Sequence, residues 1–147
     1  MAADFTIKLA MPPPEAFKAL RDSAGWGDIS ITQAQQSLKN TRLGITAYNG
    51  ETPIGMARLI GDGVLNVYIQ DVVVAPQYQG QGVGKAVIST LISRMQNTLP
   101  EDCTVGLLAA SGQEGFYSSF SFITRPDKDY GAGMFAKLQN LTDGTSS

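Results

Sequence analysis

Histidine is absent from the 147 residues, and cysteine occurs once, at Cys103. A lone cysteine excludes an internal disulfide framework, and without histidine a zinc site and a Ser-His-Asp relay both lose the residue they most need. The expected metal content is none. Basic residues are few as well: 11 Lys and Arg against 13 Asp and Glu give a formal charge of −2, with no cluster that would track a phosphate backbone. No nucleic acid partner is expected. No apolar run approaches the ~20 residues of a membrane span, and Met1 to Ala10 lacks the charged start and long apolar core of a signal peptide. The expectation is a cytoplasmic chain with no membrane partner. The length suits a single domain over 1–141 whose core needs no staples, followed by a small, polar tail, 142–147, expected to be disordered.

What the chain does have is concentrated between Tyr68 and Met95. The first third of that stretch, through Val74, is an apolar β-branched run of strand length; its middle is glycine-rich; its last third repeats apolar residues at helical spacing, Val83, Val87, Leu91 and Met95. The order is strand, loop, helix. Gly80, Gly82 and Gly84 have no side chains to keep a ligand from the backbone, and a helix opening near Val83 presents unpaired N–H groups and the positive end of its dipole. Such a place binds phosphate. A P-loop needs Gly, four residues, then Gly-Lys-Ser/Thr; Gly84-Lys85 is followed by Ala86, and the earlier glycine position holds Gln79. A dinucleotide fingerprint from Gly80 or Gly82 needs a third small residue where Lys85 or Val87 stands. Both standard nucleotide motifs fail.

Before this stretch, Phe5 to Leu9 alternates as a first strand, Pro14 opens a helix through Arg21 that ends near Gly25, and two overlapping capping boxes, at Ser30 and at Thr32, start a second helix running to about Asn40. Between the helices, Trp26 sits between two glycines with Asp28 close by. It reads either as a plug in the core beneath the loop or as an aromatic wall of a pocket in which Asp28 attracts a cation. Leu43 to Tyr48 and Pro53 to Ile60 read as strands joined at Asn49-Gly50 in a type I′ hairpin, and Val64 to Val74 as a long strand. After the central helix, Thr104 to Ala110 is a further, buried strand, and Met134 to Leu138 a last one. Cys103 precedes a buried strand and reads as a packed residue rather than a nucleophile.

Gln79-Gly80-Gln81-Gly82-Val83-Gly84, preceded by Val74-Ala75-Pro76, resembles the coenzyme A pyrophosphate loop of the GNAT superfamily of N-acetyltransferases. Gln113 to Phe122 resembles a second segment of that family, a short helix with a Phe-Tyr pair followed by the start of a strand, and Arg125 to Met134 looks like the connection of a bacterial branch acting on small molecules. The resemblance implies a mixed α/β (α+β) acyl-CoA N-acyltransferase fold, a mainly antiparallel central sheet with helices on both faces. It implies transfer of acetyl from acetyl-coenzyme A, as co-substrate, to a primary amine by direct attack, with a small-molecule or peptide amine as partner; a homodimer is compatible with it. Polyamine, arylalkylamine, amino sugar, antibiotic and peptide N-terminus all stay open as acceptors.

The same resemblance places the backbone of Val72, Val73 and Val74 along the pantetheine arm, on a strand splayed from its neighbour, with an N–H near Val74 polarising the thioester carbonyl. The amides from Gln79 through Gly80, Gln81, Gly82, Val83 and Gly84 hold the pyrophosphate, with Lys85 counted in the same site. Tyr117 matches the tyrosine that protonates the leaving thiolate. The family's usual asparagine falls on Ala110, which leaves its hydrogen bond absent or supplied by Ser111, and the glycine of the Gly-Phe pair is Ser121. The strand positions where members carry a basic Glu or His hold Tyr68 and Gln70, which with Trp26 and Asp28 are expected at the acceptor. Strand alternation turns Asp71 to the opposite face from Gln70, where it reads as structural; a bulge would reverse this and make it a base candidate. Arg58 either pairs with Asp71 or faces the acceptor. A coenzyme A-binding module without catalysis and a transferase of a longer acyl group are the alternative functions.

Overall fold

The computed structural model describes residues 4–145. By its internal contacts the chain divides into Met1–Leu107 and Leu108–Ser147.

In the first unit, β1 (Thr6–Lys8), α1 (Pro14–Ser23), α2 (Ile31–Leu38), β2 (Leu43–Asn49), β3 (Thr52–Gly61), β4 (Asn66–Val74), α3 (Val83–Thr98) and β5 (Thr104–Gly106) follow in order. The five strands form one sheet in sequence order. Every neighbouring pair is antiparallel except β4 with β5, which α3 connects as a parallel crossover. Pro14 stands in the first turn of α1, and of the two overlapping boxes the first one forms. The Ser30 hydroxyl accepts from the Gln33 N–H at 3.0 Å, while the Gln33 side chain accepts from the Ser30 N–H at 2.8 Å.

Helices cover both faces of the sheet. Along β3, Met56 and Arg58 turn to the side of α1 and α2, where Met56 packs with Phe17, Leu20, Ala34, Val73 and Ala75. The alternate residues Gly55, Ala57 and Leu59, with their ladder partners Ala47, Ile45 and Ile69, turn to the other side. There α3 buries Val83, Val87, Ile88, Leu91 and Met95, each such side chain contributing about 1.5–3 kcal/mol. Gly55 lets α3 come this close: a Cβ there would stand 2.9 Å from the Val83 side chain.

Two turns set the long strand. Asn49 pairs with Thr52, so the hairpin turns on Gly50-Glu51, one residue later than Asn49-Gly50. Only its first central residue, Gly50, has a positive φ, 61°, as a type II′ rather than a type I′ turn requires. Ahead of β4, Asp62 Oδ1 accepts from the N–H groups of Val64, Leu65 and Asn66 at 2.8–3.0 Å. These bonds, led by that of Asn66, hold its carboxyl below the ordinary carboxylate range.

In the second unit, α4 spans Glu114–Ser118 and a 3-10 turn spans Leu138–Asn140. The strand expected at Met134 to Leu138 does not form: no ladder partner is paired to it among the described residues, and Met134 is 90% exposed. The strand expected over Thr104 to Ala110 is likewise cut to Thr104–Gly106 and is only half-buried, because its pairing with β4 ends at Tyr68 opposite Gly106. In the tail, Asp143 accepts from the Thr145 N–H at 2.9 Å, a local turn; Ser146 and Ser147 lie outside the described residues. No described helix is long and apolar enough to cross a membrane.

Candidate functional site

Beyond Val74 the chain makes one 3-10 turn, Pro76–Tyr78, and passes through Gly80 at φ 76° and Gly82 at φ 85° into α3. Both values lie in the left-handed region that glycine enters freely. A Cβ at either position would meet nothing within 4 Å, so the space beside the loop is open. Gly82 is the N-cap of α3 and gives no side-chain cap. The opening N–H groups of Val83, Gly84 and Lys85, which have no carbonyl a turn earlier to bond, thus remain available. Side chains pin the loop from below. The Tyr78 hydroxyl accepts from Asn49 in the hairpin at 2.8 Å, Gln79 donates to the Val74 carbonyl at 3.1 Å, and Gln81 donates to the Gln77 carbonyl at 3.0 Å.

Next to the loop lies an open strand edge. β4 pairs with β3 up to Val74, but with β5 only from Asn66 to Tyr68. The Ala75 N–H donates to Ile54 O at 2.8 Å and therefore faces β3. Backbone groups alternate along a strand, so those of Val74 face away from β3, toward the open side, which is where Gln79 reaches the Val74 carbonyl.

The face of the sheet toward α1 carries Tyr68, Gln70 and Asp71. The Tyr68 ring lies against Gly106, whose missing side chain makes room for it: a Cβ there would be 2.9 Å from the ring. Arg58 stands opposite Gln70 and Met56 opposite Val73, so Ala57 alone spans Asp71 and Val72, a β-bulge. Asp71 adopts φ 55°, uncommon for any residue but glycine. The expectation that alternation carries Asp71 to the opposite face from Gln70 is overturned here: the extra residue turns the aspartate to the side of Arg58, whose Nε donates to Asp71 Oδ2 at 2.7 Å. Arg21 of α1 donates to the other oxygen, Oδ1.

Arg58 thus takes the first of its two expected alternatives. Its remaining nitrogens donate to the Ser37 carbonyl at 3.0 Å, to Thr41 at 3.2 Å and to the Ser37 hydroxyl at 2.6 Å, at the C-terminal end of α2. Arg21 was not among the residues expected at the site. Its signal was a charged residue four positions after Phe17, on the apolar stripe of α1. It lies 5.6 Å from the centre of the Trp26 ring. Trp26 is 40% exposed, held between two glycines at φ 74° and 85°, and is no plug in the core. Asp28 is exposed and accepts from Lys18, whose pKa is raised by Asp28 first and then by Asp22.

In the second unit Ser111 is exposed, and Tyr117 of α4 is buried, edge-on to Phe116 at 5.1 Å and to Phe122 at 6.2 Å between ring centres. Burial pushes its phenol above the ordinary value of 10.0, so the hydroxyl keeps its proton at neutral pH. Ser121 has φ 75°. The serine therefore adopts the left-handed conformation natural to the glycine it stands in for.

A mainly antiparallel sheet thus opens at one edge beside a left-handed glycine loop and an uncapped helix. The model of the acetyltransferase (GNAT) family matches residues 8–122, and the chain belongs to that family. It is 39% identical over 88 residues to chloroplastic GCN5-related N-acetyltransferase 1 of Arabidopsis thaliana, covering 60% of this chain and 44% of that protein. It is 33% identical over 94 residues to chloroplastic serotonin N-acetyltransferase 2 of rice, covering 64% and 46%. The chain spans about half the length of these curated relatives. A crystal structure of a probable acetyltransferase from Staphylococcus aureus superimposes with a TM-score of 0.82 at 30% identity, covering 91% of this chain and 99% of that one.

Proposed function

We propose that the chain transfers acetyl from acetyl-coenzyme A to a primary amine by direct attack. The observation that carries this reading is the pair of left-handed glycines leading into the uncapped start of α3, beside the unpaired edge of β4. Phosphate oxygens accept from the N–H groups between Gln79 and Lys85, and the pantetheine arm lies along Val72, Val73 and Val74. The amine attacks the thioester carbonyl, whose oxygen takes the Val74 N–H that faces the open edge. The carbon–sulfur bond breaks and the thiolate leaves with the proton of Tyr117, a phenol that burial keeps neutral. No covalent enzyme intermediate is needed, and Cys103 takes no part.

The acceptor lies on the face of Tyr68, Gln70 and Trp26. Asp28 borders it, with Lys18 as the cation it already holds. Neither Tyr68 nor Gln70 supplies the carboxylate or imidazole of a strong base, and each carboxylate oxygen of Asp71 is engaged by a guanidinium. The amine's proton therefore passes to water. An exposed aromatic wall and a relative named for serotonin both favour an amine carrying an aromatic ring.

The test is release of free thiol from acetyl-coenzyme A against a panel of tryptamine, spermidine, glucosamine, an aminoglycoside and a peptide with a free N-terminus, repeated with longer acyl donors. Thiol release with at least one amine, fastest with the acetyl donor, is expected. Binding of coenzyme A with no thiol released by any amine would leave a regulatory binding module instead.

A further inference from the structure

We propose that Asp71 is a positioning residue: its carboxylate, held between Arg58 and Arg21, locks the bulge that turns the backbone of Val72 and Val74 to the open edge of β4. The proposal rests on the reading of that edge as the seat of the acyl donor. A non-glycine residue at φ 55° persists only where its surroundings over-determine it. They do so here from two elements. Arg58 fixes one carboxylate oxygen from the adjacent strand and is itself fully engaged by Ser37 and Thr41. Arg21 fixes the other oxygen from α1, between the rings of Phe17 and Trp26.

The side chain of Asp71 is 5% exposed, and its two ion pairs are the only salt bridges among the described residues that involve a buried carboxylate. A surface pair would be worth little, but this one ends in a conformation that decides which backbone groups face outward. If the carboxylate is lost, Asp71 is free to return to extended geometry. The one-residue slip then passes along the strand and exchanges the edges faced by successive residues from Val72 to Val74. The Val74 N–H would leave the thioester oxygen.

The experiment compares wild type with Asp71→Asn and Asp71→Ala. Both lack the carboxylate that the two guanidiniums hold, and either residue, once the clamp is gone, is free to leave φ 55° for extended backbone, so the second variant serves where the first does not fold. Coenzyme A affinity is read by calorimetry. Turnover is read with acetyl-coenzyme A and the panel amine that wild type acetylates fastest, as a function of pH, on protein shown by circular dichroism to be folded. The expected result is a fall in kcat of about 10- to 100-fold, as for a reacting group displaced by about 1 Å, with weaker coenzyme A binding, an unchanged KM for the amine and a pH profile of unchanged shape. Folded variants with wild-type kcat and coenzyme A affinity, altered only in melting temperature, would overturn the proposal and leave the function reading intact. Loss of a plateau near neutral pH would overturn it in favour of Asp71 as the base. A wild-type chain that neither binds coenzyme A nor releases thiol would remove the reading on which it rests.

Discussion

Valine in place of Gly82 tests the loop most directly, because the structure separates its effect on the fold from its effect on the ligand. Gly82 holds φ 85° and ψ 3°, and a Cβ there would meet nothing within 4 Å. The substitution therefore brings backbone strain but no clash, about 1–2 kcal/mol for a side chain in the left-handed region. A chain with a stability of about 5–15 kcal/mol remains folded under that load. The added carbons enter the open space beside the N–H groups that open α3. If they displace the pyrophosphate from one of these amides, a charge-assisted hydrogen bond of about 1.5–3 kcal/mol is lost, which corresponds to a fall in affinity of about 10- to 100-fold. Calorimetry with coenzyme A, alongside circular dichroism, is the assay. Gly55→Ala is the control on the other side of the helix, where the new Cβ would crowd Val83 and stability itself should fall. An unchanged affinity in folded Gly82→Val would refute the anchoring role of the loop.

Tyr117→Phe should lower turnover by about 100-fold while coenzyme A affinity, followed by the same calorimetry, stays unchanged; equal turnover with chemistry rate-limiting would make Tyr117 a packing residue. With no strong base, the rate for an alkylamine at low concentration should climb toward the amine's own pKa, about 10.4, whereas an arylamine should show no climb; stopped-assay profiles of the two distinguish them. Burial raises the Tyr117 pKa above 10.0, which favours its protonated form over that of a free phenol toward the alkaline end of that range. Above that value the unfolded chain gives up this proton first, so the tyrosine's contribution to stability is lost as pH rises. Ser121→Gly relieves a serine at φ 75° and should raise the melting temperature by about 2–4 °C, the shift for about 1 kcal/mol in a chain of this size; a calorimetric scan showing a lower melting temperature would mean that the serine side chain, not its backbone, is what that turn needs.

The strand, loop and central helix were legible in the sequence because their signals are local: β-branched runs, glycines that admit a positive φ, and apolar residues at helical spacing from Val83 to Met95. The capping box at Ser30 was legible for the same reason. The bulge at Asp71 was not. The carboxylate it turns inward meets a pair of guanidiniums, one 50 residues earlier on α1 and one 13 residues earlier on β3, and no window of sequence around β4 contains both. The strand expected at Met134 to Leu138 had the right composition, but a strand exists only where a partner offers a ladder, which no window of sequence contains. The hairpin missed by one residue because register belongs to the pair of strands, and a shift between Ala47 and Tyr48 moved the turn to Gly50-Glu51.

The contact between Gly55 and Val83 acts as a ruler. The glycine pairs with Val74 across the ladder, and its bare Cα supports the first residue of α3. One spacing thus fixes how far the helix tip stands from the strand end, and with it the length of extended ligand that can touch both. A larger residue at 55 would lengthen the ruler unless the residue at 83 shrank to match. These two positions are therefore free to change size only in opposite directions, a constraint on the chain's history that neither position carries alone.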